Sequence, residues 1–577
     1  MLSYHAFFVD LLMHKAMPCR KAFLMFLWQC PLCVFASDVG DVGDVGDVGQ
    51  HVASPASADA AFYVKEIILE NAKLLSRKDN RKLLAPYLYN YVSAHSISNL
   101  AKDLRAFYIR KNYPTTQVKV IVGQNLQAGV LKLCIVTGYI EAIMLHDNSL
   151  RDQARVATAF PFLRGKPLFL RHLEQGIDQM NAVPSSRATL KILPGPTEGG
   201  SIIQISNQVN DPYRLDIGTD NLGDQEMGKW RYKVNLGLDN LLSINDQLVL
   251  HYAGNKTREE EGHKSKNYSF ASNFSFPVGY YTFSTAHGMG SSSVPVKTQK
   301  HTSFHTNTSS HHAYDIKRVM YKTRIHSASV ATGLAHKKIA NYLRDIPLDG
   351  QSNRYTHVKL GTNHTGLVFT GQYVVDITYK QGVSWLSARR DQASKQPNVP
   401  KAQFKKISLY GAWMCPFALF KKSFSYQLHC SAQYSKDELL GADQFSIVGL
   451  DHVRGFAKNY AGNKGLCVKQ EMSLHKLFSF SAWLLPLQLF IGLDMGYLPR
   501  VASLDPQIGH QSTMLIGWAF GGKYDGSWLN VAFTCAGPLR NPRYLRHAKK
   551  NINLYVSVSA KLHCVLRRMA RKQALCA

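Results

Sequence analysis

The stretch Leu487-Gln488-Leu489-Phe490-Ile491-Gly492-Leu493-Asp494-Met495-Gly496-Tyr497 carries an apolar side chain at every odd position. A period of two is the signature of a strand, because successive side chains point to opposite faces. Gln488, Phe490, Gly492, Asp494 and Gly496 share the other face, so a carboxylate and two glycines lie on the side turned away from the greasy one. The same texture continues in both directions. Tyr232, Val234, Leu236 and Leu238 alternate with Arg231, Lys233, Asn235 and Gly237; Tyr268, Phe270, Phe274 and Phe276 alternate with Ser269, Ala271, Asn273 and Ser275. Val375, Ile377 and Tyr379 alternate with Asp376, Thr378 and Lys380, and Leu554, Val556 and Val558 with Tyr555, Ser557 and Ser559.

A soluble sandwich and a membrane barrel both alternate in this way; they differ in which face meets water. The alternating region runs from residue 210 to 562. About 350 residues at ~22 per strand and connector give roughly sixteen strands, enough to close one barrel around an aqueous lumen. That scale favours the barrel. No run after residue 36 approaches the ~20 apolar residues of a spanning helix, which excludes a helical transporter.

Charge and the N-terminus set the compartment. The 577 residues hold 68 Lys and Arg against 39 Asp and Glu, a formal charge of +29. Such an excess suits a polyanion: nucleic acid, lipopolysaccharide or an acidic protein. Lys15, Arg20 and Lys21 precede the apolar run Ala22 to Phe35, and Ala36 supplies the small residue of a cleavage site. Residues 1–36 therefore read as an export signal, which removes nucleic acid as a partner. Cys19, Cys30 and Cys33 leave with it, and the seven scattered cysteines that remain make no disulfide framework. Residues 37–61, with four Asp-Val-Gly repeats, read as a linker.

Between linker and barrel the periodicity changes to that of small α/β domains. In 62–138, Phe62, Val64, Ile67 and Ile68 predict a strand; Leu83, Leu84, Tyr87, Leu88 and Tyr91 a helix; Leu100, Leu104, Phe107 and Tyr108 a second helix; and 118–122 and 130–136 two strands. The order repeats in 139–209: strand Ile140 to Leu145, helices Leu150 to Ala159 and Leu168 to Met180, strands Ala188 to Leu193 and Ser201 to Val209. Duplicated small units with open sheet edges suit recruitment of an extended chain by strand addition.

Several runs resemble a known family. Gln444-Phe445-Ser446-Ile447 followed by Val453-Arg454-Gly455-Phe456 is similar to the loop motif of the two-partner secretion transporters, the haemolysin secretion and activation proteins. Tyr113-Pro114-Thr115-Thr116, Gln124 to Gly129, and Leu173-Glu174-Gln175-Gly176 with Asn181 resemble that family's two polypeptide-transport-associated (POTRA) domains; Asn221-Leu222-Gly223 and Asp239-Asn240-Leu241 with Asp246 resemble its first barrel strands. The resemblance implies an outer-membrane transporter that takes a large unfolded exoprotein, an adhesin or haemolysin, through its POTRA domains and exports it through the barrel. It implies that Arg454 of the loop pairs with Asp494 in the inner-wall motif Phe490-Ile491-Gly492-Leu493-Asp494, and that Gln175 and Asn181 belong to the substrate-recognising surface. In a wet lumen that pair would contribute about a kcal/mol, since water screens it. Gly449 is followed by Leu450 where the family commonly has a second glycine.

Other constellations carry less. His301, His305, His311 and His312 sit among Ser, Thr and Asn, read as a surface loop and not as a metal centre; Gly288 and Gly290 lack the strand-to-helix context of a phosphate cradle. Arg540, Arg543, Arg546, Lys549 and Lys550 suit lipopolysaccharide contact, and residues 563–577 form a basic tail. The resulting expectation is a transmembrane β-barrel of about 16 antiparallel strands behind two small POTRA domains, in the outer membrane. It is not expected to be an enzyme or to hold a cofactor or metal. Its partners are the exoprotein, outer-membrane lipid and the barrel-assembly machinery that inserts it. An insertase of barrel proteins is the alternative; a porin without recruitment domains is disfavoured by the two α/β units.

Overall fold

The computed structural model describes residues 61–562 apart from 147–148, 224–227, 256–258, 261–262, 265–266, 298–301, 345, 392–398, 476–486, 501–510 and 542–550. The expected signal, most of the linker, and the tail lie outside the described residues. The chain divides into two compact units, residues 1–141 with 165–170 and 194–201, and residues 142–164, 171–193 and 202–577.

The first α/β domain contains β1 (Phe62–Val64), β2 (Glu66–Glu70), α1 (Arg77–Leu84), β3 (Asn90–Val92), α2 (Ala94–Arg110), β4 (Gln117–Val120) and β5 (Val130–Val136). Both helices start at serine caps: Ser76 Oγ accepts from Asp79 N at 3.1 Å and Ser93 Oγ from Ser96 N at 3.3 Å. Leu100, Leu104, Leu131 and Leu133 are fully buried in its core. The single strand expected near 62–68 is two, because β1 pairs with β3 while β2 runs parallel to β5 in a separate sheet of order β2-β5-β4. Tyr91, expected on the first helix, is in β3 and exposed.

The second domain contains β6 (Tyr139–Leu145), α3 (Leu150–Ala159), α4 (Leu170–Asn181), β7 (Ser186–Pro194) and β8 (Gly200–Val209), with sheet order β6-β8-β7. α4 starts two residues later than its apolar pattern predicts, since Pro167 is drawn into a bridge with Tyr139. Gly176 lies under the Phe160 ring, where a side chain would overlap the aromatic carbons. That explains a glycine inside a helix.

The barrel follows as β9 (Tyr213–Asp220), β10 (Arg231–Asp239), β11 (Gln247–Asn255), β12 (Tyr268–Val278), β13 (Tyr281–Lys297), β14 (Thr302–Lys322), β15 (His326–Leu343), β16 (Asn353–Val368), β17 (Gly371–Val383), β18 (Lys405–Leu419), β19 (Lys422–Ser435), β20 (Gly465–His475), β21 (Leu487–Leu498), β22 (Thr513–Asp525), β23 (Leu529–Arg540) and β24 (Asn553–Lys561). These sixteen strands are antiparallel to their neighbours and close through β24 on β9; the two-residue segment Ile346–Pro347 adds a short pairing to β15. The closing ladder has five residue pairs, Ser557 with Asp220 to Lys561 with Asp216. Asn221 prolongs it: its amide nitrogen donates to the Leu554 carbonyl at 2.8 Å and its oxygen accepts from Val556 N at 2.8 Å. The backbone N of Asn221 also donates to the Val556 carbonyl at 3.2 Å, so the side-chain amide reinforces the end of the ladder.

Alternation fixes inside and outside. Leu489, Ile491, Leu493 and Tyr497 on β21 are exposed on the outer wall, whereas Phe490 and Asp494 are buried inward. β13 to β16 have 17, 21, 18 and 16 residues, beyond the roughly 9–11 that cross a bilayer, so this wall extends past the lipid. Its sequence is rich in Ser, Thr, Asn and His for that reason, and the surface loop expected around the histidines is strand: His305, His311 and His312 are all on β14, while His301 lies outside the described residues. No group of metal-holding side chains occurs among the described residues.

Candidate functional site

Between β19 and β20 the chain folds back as a loop, residues 436–464. A short ladder of Phe445–Ser446 with Ala461–Gly462 forms its neck. Beyond it Ile447 N donates to the Tyr460 carbonyl at 3.0 Å, and Val453 N to the Ile447 carbonyl at 3.0 Å. The turn after Gly449 closes by His452 N on the Gly449 carbonyl at 3.2 Å. Leu450 stands there without disturbing it, and its carbonyl accepts from Lys469 Nζ of β20 at 2.6 Å. Ile447, Val453 and Tyr460 pack with Cys467, Leu498 and Leu515 of the wall, with Phe456 at the edge. Burying two aliphatic side chains of this size stabilises the seat by roughly 3–6 kcal/mol.

Val453, Arg454, Gly455, Phe456, Phe490, Gly492 and Asp494 come together at this loop tip. Arg454 Nε donates to Asp494 Oδ2 at 2.7 Å, Nη2 to Oδ1 at 2.9 Å, and the backbone N of Arg454 to Oδ2 at 3.1 Å. The guanidinium fork thus meets both carboxylate oxygens. Two groups absent from the sequence reading complete the site. Nη1 donates to Glu471 Oε2 of β20 at 2.9 Å, and Glu471 also pairs with Lys523 of β22. Arg454 and Lys523 both lie over the Phe490 ring, 5.7 and 4.5 Å from its centroid.

The side chains of Arg454, Asp494 and Glu471 are 2%, 0% and 4% exposed. The screened, water-washed pair expected from an open lumen is therefore replaced by a dry triad, because the loop tip itself excludes water. Removing Arg454 or Asp494 would strand a buried charge at a cost of about 3–5 kcal/mol, well above the kcal/mol expected of a wet pair. Glu471 was legible by phase, since Leu466, Val468 and Met472 of β20 mark its outer face and place Lys469 and Glu471 inside.

A second attachment lies nearer the loop's beginning. Asp443 accepts from Lys406 Nζ at 3.0 Å, from Lys337 Nζ at 3.5 Å and from the Tyr355 hydroxyl, while its carbonyl accepts from Lys406 Nζ at 2.8 Å and Gln433 Nε2 at 3.0 Å. Leu439 and Leu440 pack beside it on Tyr355, Ala402 and Phe404.

Gln175 and Asn181 lie elsewhere, on α4. Gln175 is buried, its amide 3.5 Å from the Gly279 carbonyl in the β12–β13 turn, where Gln179 donates at 2.9 Å. Asn181 bonds both backbone groups of Ala188, at 2.9 and 2.6 Å. His172 Nδ1 meets the Tyr280 hydroxyl of the same turn at 2.8 Å, and burial lowers its pKa below the ordinary 6.5. Arg155 Nε donates to Asn245 Oδ1 of the β10–β11 turn at 3.2 Å.

The family described as haemolysin secretion/activation protein ShlB/FhaC/HecB matches residues 199–524, with a ShlB-type POTRA domain matching 62–138 and a POTRA domain matching 139–194. The chain belongs to this family. It is 29% identical to the outer membrane transporter CdiB of Dickeya dadantii strain 3937, over 86% of this chain and 87% of that one. It is 30% identical to the hemolysin transporter protein ShlB of Serratia marcescens, over 78% of each. The solved structure of CdiB from Escherichia coli superposes with a TM-score of 0.76 at 25% identity, covering 88% of this chain and 93% of that one. Family members are transporters. Their barrel lies in the outer membrane with the POTRA domains on the periplasmic side, which sets β12–β13 and β10–β11, whose turns meet α3 and α4, with those turns facing the periplasm.

Proposed function

We propose that this chain is a two-partner secretion transporter that recognises one large exoprotein in the periplasm, unfolded, through its POTRA domains and passes it through the barrel. One observation carries the reading: two POTRA domains precede a closed sixteen-stranded barrel whose inner wall holds a loop tip by a buried Arg-carboxylate triad. The strand edges offer the recognition surface, because β4 and β7 pair with a strand on one side alone among the described residues and leave backbone groups for an added strand. Gln175 and Asn181 support recognition indirectly, by holding α4 to the β12–β13 turn and to β7. Lipid contact belongs to the exposed outer face; barrel-assembly machinery would insert it, and the basic segment around Arg540 is the place for lipopolysaccharide.

Co-expression with a large exported protein encoded beside this chain, where there is one, tests the reading. The full chain should release that protein to the medium, and deletion of 62–209 should stop release while the barrel remains in the outer membrane. Equal release by both forms overturns it.

A further inference from the structure

Five consecutive strands, β14 to β18, each turn a lysine inward at one stretch of the wall: Lys317, Lys337, Lys359, Lys380 and Lys406. In the ladder register Lys359 stands directly opposite Lys380, and Lys380 directly opposite Lys406, on one face of three adjoining strands. Like charges in directly opposed positions repel, so such a row is stable only beside anions. Lys359 has Asp315 at 2.8 Å. Lys317 and Lys380 have no carboxylate within ion-pair reach among the described residues. The carboxylate that serves Lys406 and Lys337 is not on the wall at all; it is Asp443 of the loop.

Asp443 shows what the row is shaped to take. Lys406 meets one carboxylate oxygen, Lys337 and the Tyr355 hydroxyl meet the other, and Tyr355 is fully buried behind them. Two cationic donors and one neutral donor converging on a single carboxylate form a receptor for that group. We propose that this inner-wall lysine row is a carboxylate-binding site, filled at rest by Asp443, that takes Asp and Glu side chains of the exported polypeptide in exchange. It rests on the transporter reading. The exchange keeps the row neutralised at each step, so the passing chain supplies the charge that the loop withdraws.

The test is binding of a fluorescein-labelled decaglutamate peptide to the purified full chain in detergent, with decaglutamine as competitor. Asp443→Asn should bind decaglutamate about tenfold tighter than the unaltered protein, the effect of one lost charge-assisted competitor. Adding Lys380→Gln or Lys406→Gln to Asp443→Asn should abolish that gain. Should Asp443→Asn lose the heat-modifiable gel mobility of a folded barrel, Leu440→Ala, which loosens the loop segment that carries Asp443 and leaves every donor of the receptor in place, should show a gain of about threefold. Affinity unchanged in the folded variant, a gain insensitive to both lysines, or equal competition by decaglutamine overturns the proposal. A chain that binds decaglutamate in this pattern but releases no exoprotein would instead strike the transporter reading.

Discussion

A β-carbon on Gly517 of β22 would collide with the carbonyl oxygen of Arg454. The wall there has been cut back to backbone so that the loop tip can lie on it. Gly492 on β21 is under the Arg454 guanidinium, and a β-carbon on Gly496 would sit 2.8 Å from Val453 Cγ2.

Gly517→Val should therefore lift the loop tip without touching any charge. We expect barrel insertion to persist, judged by heat-modifiable mobility, and secretion to fall at least about tenfold, as for removal of a positioning contact. Secretion at the normal level would show that the seated tip has no part in export.

Arg454→Lys keeps the charge but loses the fork that spans Asp494 and Glu471. It should behave like Arg454→Ala in secretion. Arg454→Ala with Asp494→Ala should be little worse than either alone, the non-additivity of contacting residues, measured as secretion yield in the four-member cycle. Losses that multiply would separate the two residues functionally.

Glu471→Gln isolates the member that sequence patterning did not single out. It leaves Arg454 with Asp494 but deprives Lys523 of its partner, and unfolding in detergent should show a loss of about 1–3 kcal/mol. An unchanged denaturation midpoint would reduce Glu471 to a bystander.

His172 gives the α4 contact a pH dependence. Its pKa is lowered by burial, so at neutral pH both folded and unfolded chains hold it uncharged, and the packing is unpenalised. As pH falls through the unfolded value near 6.5, the unfolded state gains the proton first and stability is lost. Between about pH 7.5 and about 5.5 the full chain should lose more stability than His172→Gln, followed by denaturation in detergent. Equal losses would place the titration elsewhere.

Much of this is legible in the sequence. The inward phase of Asp494 came from six apolar neighbours on alternate positions, and the same period gave the strands on either side of it. Strands β13 to β16 are the least legible, because roughly a third to a half of their length extends past the membrane, where an outer face has no reason to be apolar. Asp443, Lys406 and Tyr355 were invisible for another reason. They are brought together by ladder register and by the path of a loop, and neither leaves a local pattern. Gln175 illustrates the converse: its motif was plain, but its burial against Gly279 depends on a turn more than a hundred residues away.

The bare panel of Gly492, Gly496 and Gly517 has a mechanical meaning. A side-chain lining on those strands would have to be pushed aside for a loop to dock, whereas a recess accepts the loop flush, as an inlay. Undocking then exposes ladder peptide groups that are already bonded to one another, so the polar cost on the wall side falls on the Asp494 and Glu471 carboxylates. The energy of release is concentrated in the inlay itself, in Arg454, Val453 and Ile447, and the tightness of the seat can be tuned by changing the loop alone.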